Sequence, residues 1–353
     1  MYPSVSIIIP NWNGRCLLEK FLPTVIAAAE KYHQKTLASI EVIVVDDCSD
    51  DDSLPWLEGY SRHLPVHLKV VARQLNGGFA RAANSGFLAA SHEIIVLLNN
   101  DISVEPDAIL PLVRHFTNPK VFAVCCKAFR LGTDFFDGAG KLGLFRRGHW
   151  RVYVNYDILP TLLASDVKLY SFVASGGYAA FDAAKLKQLG GFCELLSPFY
   201  WEDVELCYRA WKRGWTIEYE PESIVYHQTS STIGTCFRPM RVRVIAERNR
   251  LLMHWINLHD RRWLLLHIFW TAMKLLAAAF KLDFVLWRAL YQALCLLDEV
   301  GKLRAQEKLS SLVTDREISA LFEKLLATKG IYPISKDEDY YRYLELRRSL
   351  EGN

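Results

Sequence analysis

The sequence predicts an α/β domain, doubly wound around a mainly parallel sheet, followed by a helical C-terminal region. Three observations predict it. Short runs rich in Val and Ile alternate with segments of helical spacing over the first 130 residues, the signature of strand–helix–strand units. Those runs are apolar at nearly every position, as strands covered on both faces must be. Polar clusters close several of them, at Asn11 to Gly14, Asp46 to Ser53 and Asn99 to Asp101. Open α/β sheets bind ligands beyond the carboxyl ends of their strands.

In chain order, the expected strands are Val5 to Ile9, Ile40 to Val45, Leu68 to Val71, Ile94 to Leu98 and Val121 to Cys125. Between them, Phe79, Ala82, Ala83, Gly86, Phe87 and Ala90 recur at a spacing of three to four and share one helix face. Residues 131–170 are less regular, with glycines at 138, 140, 143 and 148, and read as a loop or hairpin insertion. A helix opens at Glu202-Asp203, buries Val204, Cys207, Tyr208 and Trp211, and stops at Gly214. The expected organisation is a catalytic domain over 1–237, with one half about 1–130 and the other about 131–237, then a helical region over 238–353. The last fifty residues read as charged helix with little to bury.

Composition sets the outer limits. Of 353 residues 51% are hydrophobic and 23% charged, which excludes a disordered chain. A net charge of +3 gives no reason to expect nucleic-acid binding. None of the eight cysteines forms a CxxC pair and most sit in apolar runs, which fits buried free thiols in a reducing compartment. Met1 leads almost directly into Val5 to Ile9, with no basic segment before it, so a secretory signal is not expected and the catalytic part is expected in the cytosol.

The chemistry lies in four clusters and a lone histidine, each of which has a plainer reading. Asp46 and Asp47 can accept hydrogen bonds from a base or ribose, or can simply cap a loop. In Asn76 to Gly86, Gly77 and Gly78 allow close backbone approach and Arg81 adds a cation one turn into a helix. That combination suits a pyrophosphate, although a Gly pair is more often only a turn. Asn99-Asn100-Asp101 can present a carboxylate to a hard cation, or form a turn after a strand. In Trp201-Glu202-Asp203 a carboxylate can act as a base, and it also suits a helix N-terminus. A neutral His227 is a competent metal ligand, while a lone His is usually structural.

The order of the segments is the strongest signal: SIIIPNWNG, VVDDCSDDDS, NGGFARAANSG, LLNNDISV, SGGYAAFDAAKLKQLGGF, FYWEDVELCYRAWKRGW and VYHQTSS. In this order the chain resembles family-2 glycosyltransferases, closest to bacterial rhamnosyltransferase-like and galactofuranosyltransferase-like members, over residues 4 to about 255. The resemblance implies a GT-A fold, with a mixed, mainly parallel sheet flanked by helices and amphipathic helices after it. It implies an inverting transfer from a nucleoside-diphosphate sugar, dTDP- or UDP-linked and possibly rhamnose, to a glycan or polyprenyl-linked acceptor in cell-surface polysaccharide synthesis. It places Pro10, Asn11, Asn13, Asp46, Asp47, Asn76, Gly78, Arg81, Asn99 and Asn100 on the donor, with Asp46 reading the base. It places Trp201, Glu202, Gly176 and Gly177 on the acceptor and makes Asp203 the base. It makes Asp101 and His227 ligands of Mg²⁺ or Mn²⁺. Asn99 stands where the family's metal motif has its first Asp, which reduces the expected protein ligands.

Arginines crowd residues 238–262, and Trp263 to Phe280 is apolar apart from a polar stripe at His267, Thr271 and Lys274 that continues through Lys281, Arg288 and Gln292. The pattern favours an amphipathic helix lying on the inner face of the cell membrane, peripheral to it. A transmembrane span and a soluble helical hairpin are the alternatives. For the whole chain, the alternatives to a transferase are a sugar nucleotidyltransferase, which would need a Gly- and Arg-rich N-terminal phosphate loop, and a non-catalytic scaffold.

Overall fold

The computed structural model describes residues 2–61, 64–160, 167–228 and 237–351. Residues 229–231 of the last motif and Cys236 lie outside them. The elements run β1 (Val5–Asn11), α1 (Arg15–Thr36), β2 (Ile40–Asp46), α2 (Ser53–Tyr60), β3 (His67–Ala72), α3 (Phe79–Ala89), β4 (Ile94–Leu98), β5 (Ile102–Val104), α4 (Ile109–Arg114), β6 (Val121–Arg130), β7 (Phe136–Gly138), β8 (Gly140–Arg146), β9 (His149–Ile158) and β10 (Tyr178–Asp182). There follow α5 (Ala183–Leu189), α6 (Glu202–Lys212), β11 (Thr216–His227), α7 (Pro239–Asn257), α8 (Arg261–Phe280), α9 (Val285–Leu294), α10 (Leu297–Leu309), α11 (Asp315–Leu326), β12 (Ile331–Ile334) and α12 (Asp337–Glu351).

The main sheet has the order β3-β2-β1-β4-β10-β6-β11-β5, with β7 beside β6. Strands β1 to β4 are parallel, so Asn11, Asp46 and Leu98 end on one edge. Strand β10 runs antiparallel between β4 and β6, so β6 and the parallel β11 keep the direction of β1 to β4, while β10 and the edge strand β5 run against it. Alternate residues feed two cores. Ile7, Ile9, Val42 and Val44 pack with Leu18, Leu22 and Val25 of α1, while Ile8, Ile43 and Val45 pack under Ala80, Ala82 and Ala83 of α3. This is why the strand runs carry no polar alternation. Gly86 lets α3 approach the sheet closely, since a Cβ there would lie 2.4 Å from Ile8 Cγ2.

The insertion is a hairpin. Arg147 and Gly148 both take positive φ (48° and 73°) between β8 and β9, the geometry a tight two-residue hairpin turn requires. Strand β12 adds to the outer edge of β9 and completes a second, three-stranded sheet.

Two expectations for the C-terminal region need correction. Its last part is not poor in core: Phe322, Tyr340 and Tyr343 are buried in the same cluster as Phe172 and Trp150. A buried ion pair, Lys212 Nζ to Asp315 Oδ1 at 2.6 Å, fastens α11 to the end of α6. Asp315 also accepts hydrogen bonds from the Tyr208 hydroxyl and from the backbone N–H groups of His259 and Asp260. Breaking such a pair from one side costs about 3–5 kcal/mol, because a buried charge is left alone. The second correction concerns α8. Its polar stripe faces inward: His267 and Thr271 are buried, while Leu265, Ile268, Phe269 and Leu276 are exposed. The stripe does not continue, because α8 stops at Phe280 and Leu282 turns the chain at φ 53°. In α9 the polar Arg288 and Gln292 face outward. The cysteines are mixed: Cys125, Cys126 and Cys207 are buried thiols, but Cys16 and Cys295 are exposed.

Candidate active site

A cavity of about 800 Å³ opens where the ends of β1, β2 and β4 meet the start of α6. Its size is that of a small-molecule site. Pro10, Asn11, Asp47, Asn76, Gly78, Asn99, Asn100, Asp101, Gly176, Gly177, Glu202, Asp203 and His227 all line it. Asn13, Asp46, Arg81 and Trp201, expected at the site, do not.

The donor-side departures have clear causes. Asp46 is fully buried, and its carboxylate is filled by Asn11 Nδ2 (3.1 Å) and by the backbone and hydroxyl of Ser49 (3.0 and 2.7 Å). It anchors the loop after β2 instead of facing a ligand. Asn13 ties the same loop from outside, accepting from Asp50 N at 2.7 Å. Arg81 turns away to pair with Glu194 at 3.1 Å. The carboxylate on the cavity wall is Asp47, held by Arg73 Nε at 2.7 Å and by the N–H groups of Gly77 and Gly78. Gly78 has φ 78° and sits against Pro198, where a Cβ would lie 2.7 Å from the Pro198 oxygen. Phe79 N–H donates to that oxygen at 3.0 Å. Loop 197–201 is thereby clamped to the start of α3.

Strand pairing builds the next cluster. His227 ends β11 opposite Ile102 of β5, which brings its ring to the residue before Ile102. His227 Nε2 lies 3.5 Å from Asp101 Oδ2, and Nδ1 lies 2.8 Å from Asp137 Oδ2. Burial opposes a charge on this ring, but hydrogen bonds to the two carboxylates outweigh it and lift its pKa to about 9.

Across the cavity, α6 begins with Glu202 and Asp203. Trp201 enters it at φ 72° and points its ring toward His254 (6.0 Å between centroids), away from the cavity. Asp203 accepts from Val204 N at 2.7 Å and from Gly176 N at 3.4 Å. Burial raises its pKa, and Lys141 of β8 partly offsets that. Glu202 is buried with Oε2 unpartnered, and burial together with the charge of Asp203 pushes it up to about 8. Two buried carboxyl groups on one wall, each holding its proton more tightly than in water, suit proton transfer.

The glycosyl transferase family 2 model matches residues 6–190, more than half of the chain. The chain belongs to this family. Among curated relatives, it is 27% identical to the pre-mycofactocin glycosyltransferase of Mycobacterium tuberculosis over 223 residues, covering 63% of this chain and 42% of the relative. It is also 27% identical to polypeptide N-acetylgalactosaminyltransferase 10 of Rattus norvegicus over 231 residues, covering 64% and 38%. The chain thus spans about two fifths of the length of these relatives. Among solved structures, GalNAc-T7 with UDP, GalNAc and Mn²⁺ superposes with a TM-score of 0.58 at 19% identity, covering 73% of this chain and 49% of that one. The mannosyltransferase PcManGT of Pyrobaculum calidifontis, with GDP-Man and Mn²⁺, gives 0.53 at 19% identity, covering 93% and 86%. The fold is therefore GT-A, as the family-2 resemblance implies.

Three further residues of this family-2 chain shape the site without a motif to announce them. Arg73 holds Asp47, Asp137 holds His227, and Asn249 of α7 donates to the carbonyls of Leu196, Phe199 and Tyr200. Each acts across more than twenty residues of sequence. Asn249 showed one trace, as a polar residue amid the buried apolar face of α7. Asp101 and His227 offer a carboxylate oxygen and an imidazole nitrogen on the cavity wall, a donor set suited to Mn²⁺ or Mg²⁺.

Proposed function

We propose that the protein is an inverting glycosyltransferase that takes a UDP- or dTDP-linked sugar, rhamnose being one candidate, to a glycan or polyprenyl-linked acceptor in cell-surface polysaccharide synthesis. The reading rests on one observation: Asp203, with a raised proton affinity, shares a single cavity with the Asp101–His227 pair. The acceptor hydroxyl attacks the anomeric carbon as its proton passes to Asp203, and the bond from that carbon to the diphosphate oxygen breaks. Glu202, protonated near neutral pH, is a hydrogen-bond donor for an acceptor hydroxyl or ring oxygen. Asp47, with Arg73 behind it, faces the nucleoside, and Gly78 lets Pro198 close over the start of α3 at the cavity wall. Asp101 and His227 would hold a divalent cation, which neutralises charge on the departing diphosphate. A divalent ion competes with the proton at His227 Nε2, so its binding weakens as pH falls.

The subtype by resemblance is rhamnosyltransferase-like or galactofuranosyltransferase-like. Solved neighbours in complex with UDP and GalNAc or with GDP-Man support a nucleoside-diphosphate donor, and the choice of a pyrimidine rests on the family-2 resemblance. The outward apolar face of α8 supports a place on a membrane surface, the inner one in this reading. The deciding experiment offers UDP- and dTDP-sugars with Mn²⁺ or Mg²⁺ and a polyprenyl-diphosphate glycan, and follows the anomeric proton by NMR. A product of anomeric configuration opposite to the donor is expected. Retention would sink the single displacement, and donor binding without any nucleoside-diphosphate release would favour a scaffold.

A further inference from the structure

Outside the cavity, three buried histidines from three elements meet. His149 opens β9, His254 lies in α7 and His267 lies in α8, and one ring nitrogen from each falls within 4.8 Å of the others. We propose that they form a transition-metal site, of the kind that takes Zn²⁺, which fastens α8 to the β8–β9 hairpin.

The pattern of hydrogen bonds carries the proposal. His267 Nδ1 donates to the Gly148 carbonyl at 2.8 Å, which leaves Nε2 as a bare lone pair, and that atom is buried without a partner. His254 Nδ1 donates to the Arg250 carbonyl at 2.7 Å, so its Nε2 is likewise the basic nitrogen. Metal-binding histidines are oriented in this way, with the far N–H on a carbonyl. Both nitrogens of His149 are buried without a partner, as is the hydroxyl of Thr271, one helical turn after His267. Unsatisfied buried polar atoms are uncommon in a native core, and those of His149 and His267, on rings that meet, call for a shared partner.

The chemistry selects the ion. An all-imidazole set with no carboxylate disfavours Mg²⁺ and Ca²⁺ and suits Zn²⁺. Burial, with positive neighbours second to it, holds His149 and His254 uncharged, and it brings His267 down to about 4. The ligands are therefore neutral near pH 7, as metal binding requires. Arg250 and Lys274 oppose a cation here, but Arg250 is paired with Glu247, and burial pulls Lys274 down to about 8, which lowers the cost of its losing a proton when a cation binds. Ligand nitrogens around tetrahedral zinc stand about 3.4 Å apart, following from bonds of about 2.0–2.1 Å. The rings must therefore draw together, and His254 Nε2 must leave the Trp150 N–H that it accepts at 2.9 Å. A water would complete the shell.

The test uses full-length protein carrying Asp101→Ala, so that the cavity site does not compete, stripped with chelator and titrated with Co²⁺. One equivalent should bind with the intense visible bands of tetrahedral Co²⁺, Zn²⁺ should displace it, and Zn²⁺ should raise Tm. His149→Gln or His267→Gln should abolish the bands and the Tm shift. Absence of the bands in the parent protein, or bands that survive both substitutions, overturns the proposal. Should either variant fail to fold, X-ray absorption at the zinc edge of the Asp101→Ala protein decides: a shell of imidazole nitrogens supports the site, and a sulfur shell overturns it.

Discussion

At the scale of single residues, the site is a set of carboxyl groups sorted by their surroundings. Asp46, Asp47, Asp101, Glu202 and Asp203 all border one edge of the sheet, yet each has different partners. Asp203→Asn should lower kcat by at least a hundredfold while leaving donor affinity within a few-fold, because a base acts only in the transition state. Calorimetry with donor and steady-state kinetics on one preparation would separate the two, and near-normal turnover would remove Asp203 from the mechanism. Glu202 gives a stability test. Its pKa is raised from 4.5 to about 8 in the fold, so the folded protein holds that proton more tightly than the unfolded chain. Its contribution is fully present below about pH 4.5 and is lost as pH rises through about 8. At about 1.4 kcal/mol per unit, the loss is on the order of a few kcal/mol. Glu202→Gln cannot ionise, so its chemical-denaturation midpoint should exceed that of the wild type at pH 9 and should converge with it at acid pH. Equal pH dependence in the two proteins would show that Glu202 is not held protonated. The roles of Asp46 and Asp47 show where sequence reading stops. The tandem carboxylates mark a strand end, but which one reaches the cavity depends on Ser49 and Asn11 on one side and Arg73 on the other.

At the scale of elements, what could be read from sequence was local. Strands β1, β2 and β4 declare themselves because burial on both faces leaves an unbroken apolar run. Helix α6 declares itself through acidic residues in its first turn and Gly214, which takes φ 75° just past its end. What could not be read depends on which face meets which neighbour. The polar stripe of α8 is plain in the sequence, but nothing in its spacing says that it turns toward His149 and the hairpin instead of water. Nor does any spacing place α7 beneath the loop before α6. There, Asn249 is fully buried and its amide holds three loop carbonyls. Asn249→Leu keeps the branching and the number of heavy atoms and strands those carbonyls, at a cost of about 1–3 kcal/mol for each buried acceptor left unmet. Thermal unfolding should fall by several degrees, and acceptor KM should rise more than donor KM because loop 197–201 carries Tyr200 and leads into Glu202 and Asp203. Equal changes in both KM values would show that the loop serves the donor instead.

At the scale of the whole molecule, one surface stands apart from the site. Helices α8 and α9 expose Leu265 (67%), Leu266, Ile268, Phe269, Leu276 and Phe280 (91%) together with Phe284, Trp287 and Tyr291. Scattered exposed apolar residues need no explanation, but a contiguous patch of this kind marks a binding surface. Length and composition alone would allow α8 to cross a bilayer, with 20 residues at a mean hydropathy of 1.6. Packing argues against crossing. Trp263 stacks on Phe145 of the hairpin at 4.0 Å, and His267 is bonded to Gly148, so one whole side of the helix is committed to the protein. A helix held in this way can offer lipid only its outer face, which fits an interfacial position. Arg261 and Arg262 are exposed at its start, one turn before Leu265 and Leu266, and suit anionic headgroups. The protein should therefore sediment with anionic vesicles, less with neutral ones, and be released by alkaline carbonate, which an integral span resists. Each basic residue contributes about 1 kcal/mol at an anionic surface, so Arg261→Glu with Arg262→Glu should weaken partitioning at least tenfold. Raising salt should have a similar effect, since the screening length is about 10 Å at 0.1 M and shrinks beyond it. Phe269→Ser with Leu276→Ser should weaken binding at any salt concentration, which separates the apolar contribution from the charged one. Protein that remains monodisperse without detergent and ignores anionic vesicles would show that this face is covered by another protein surface.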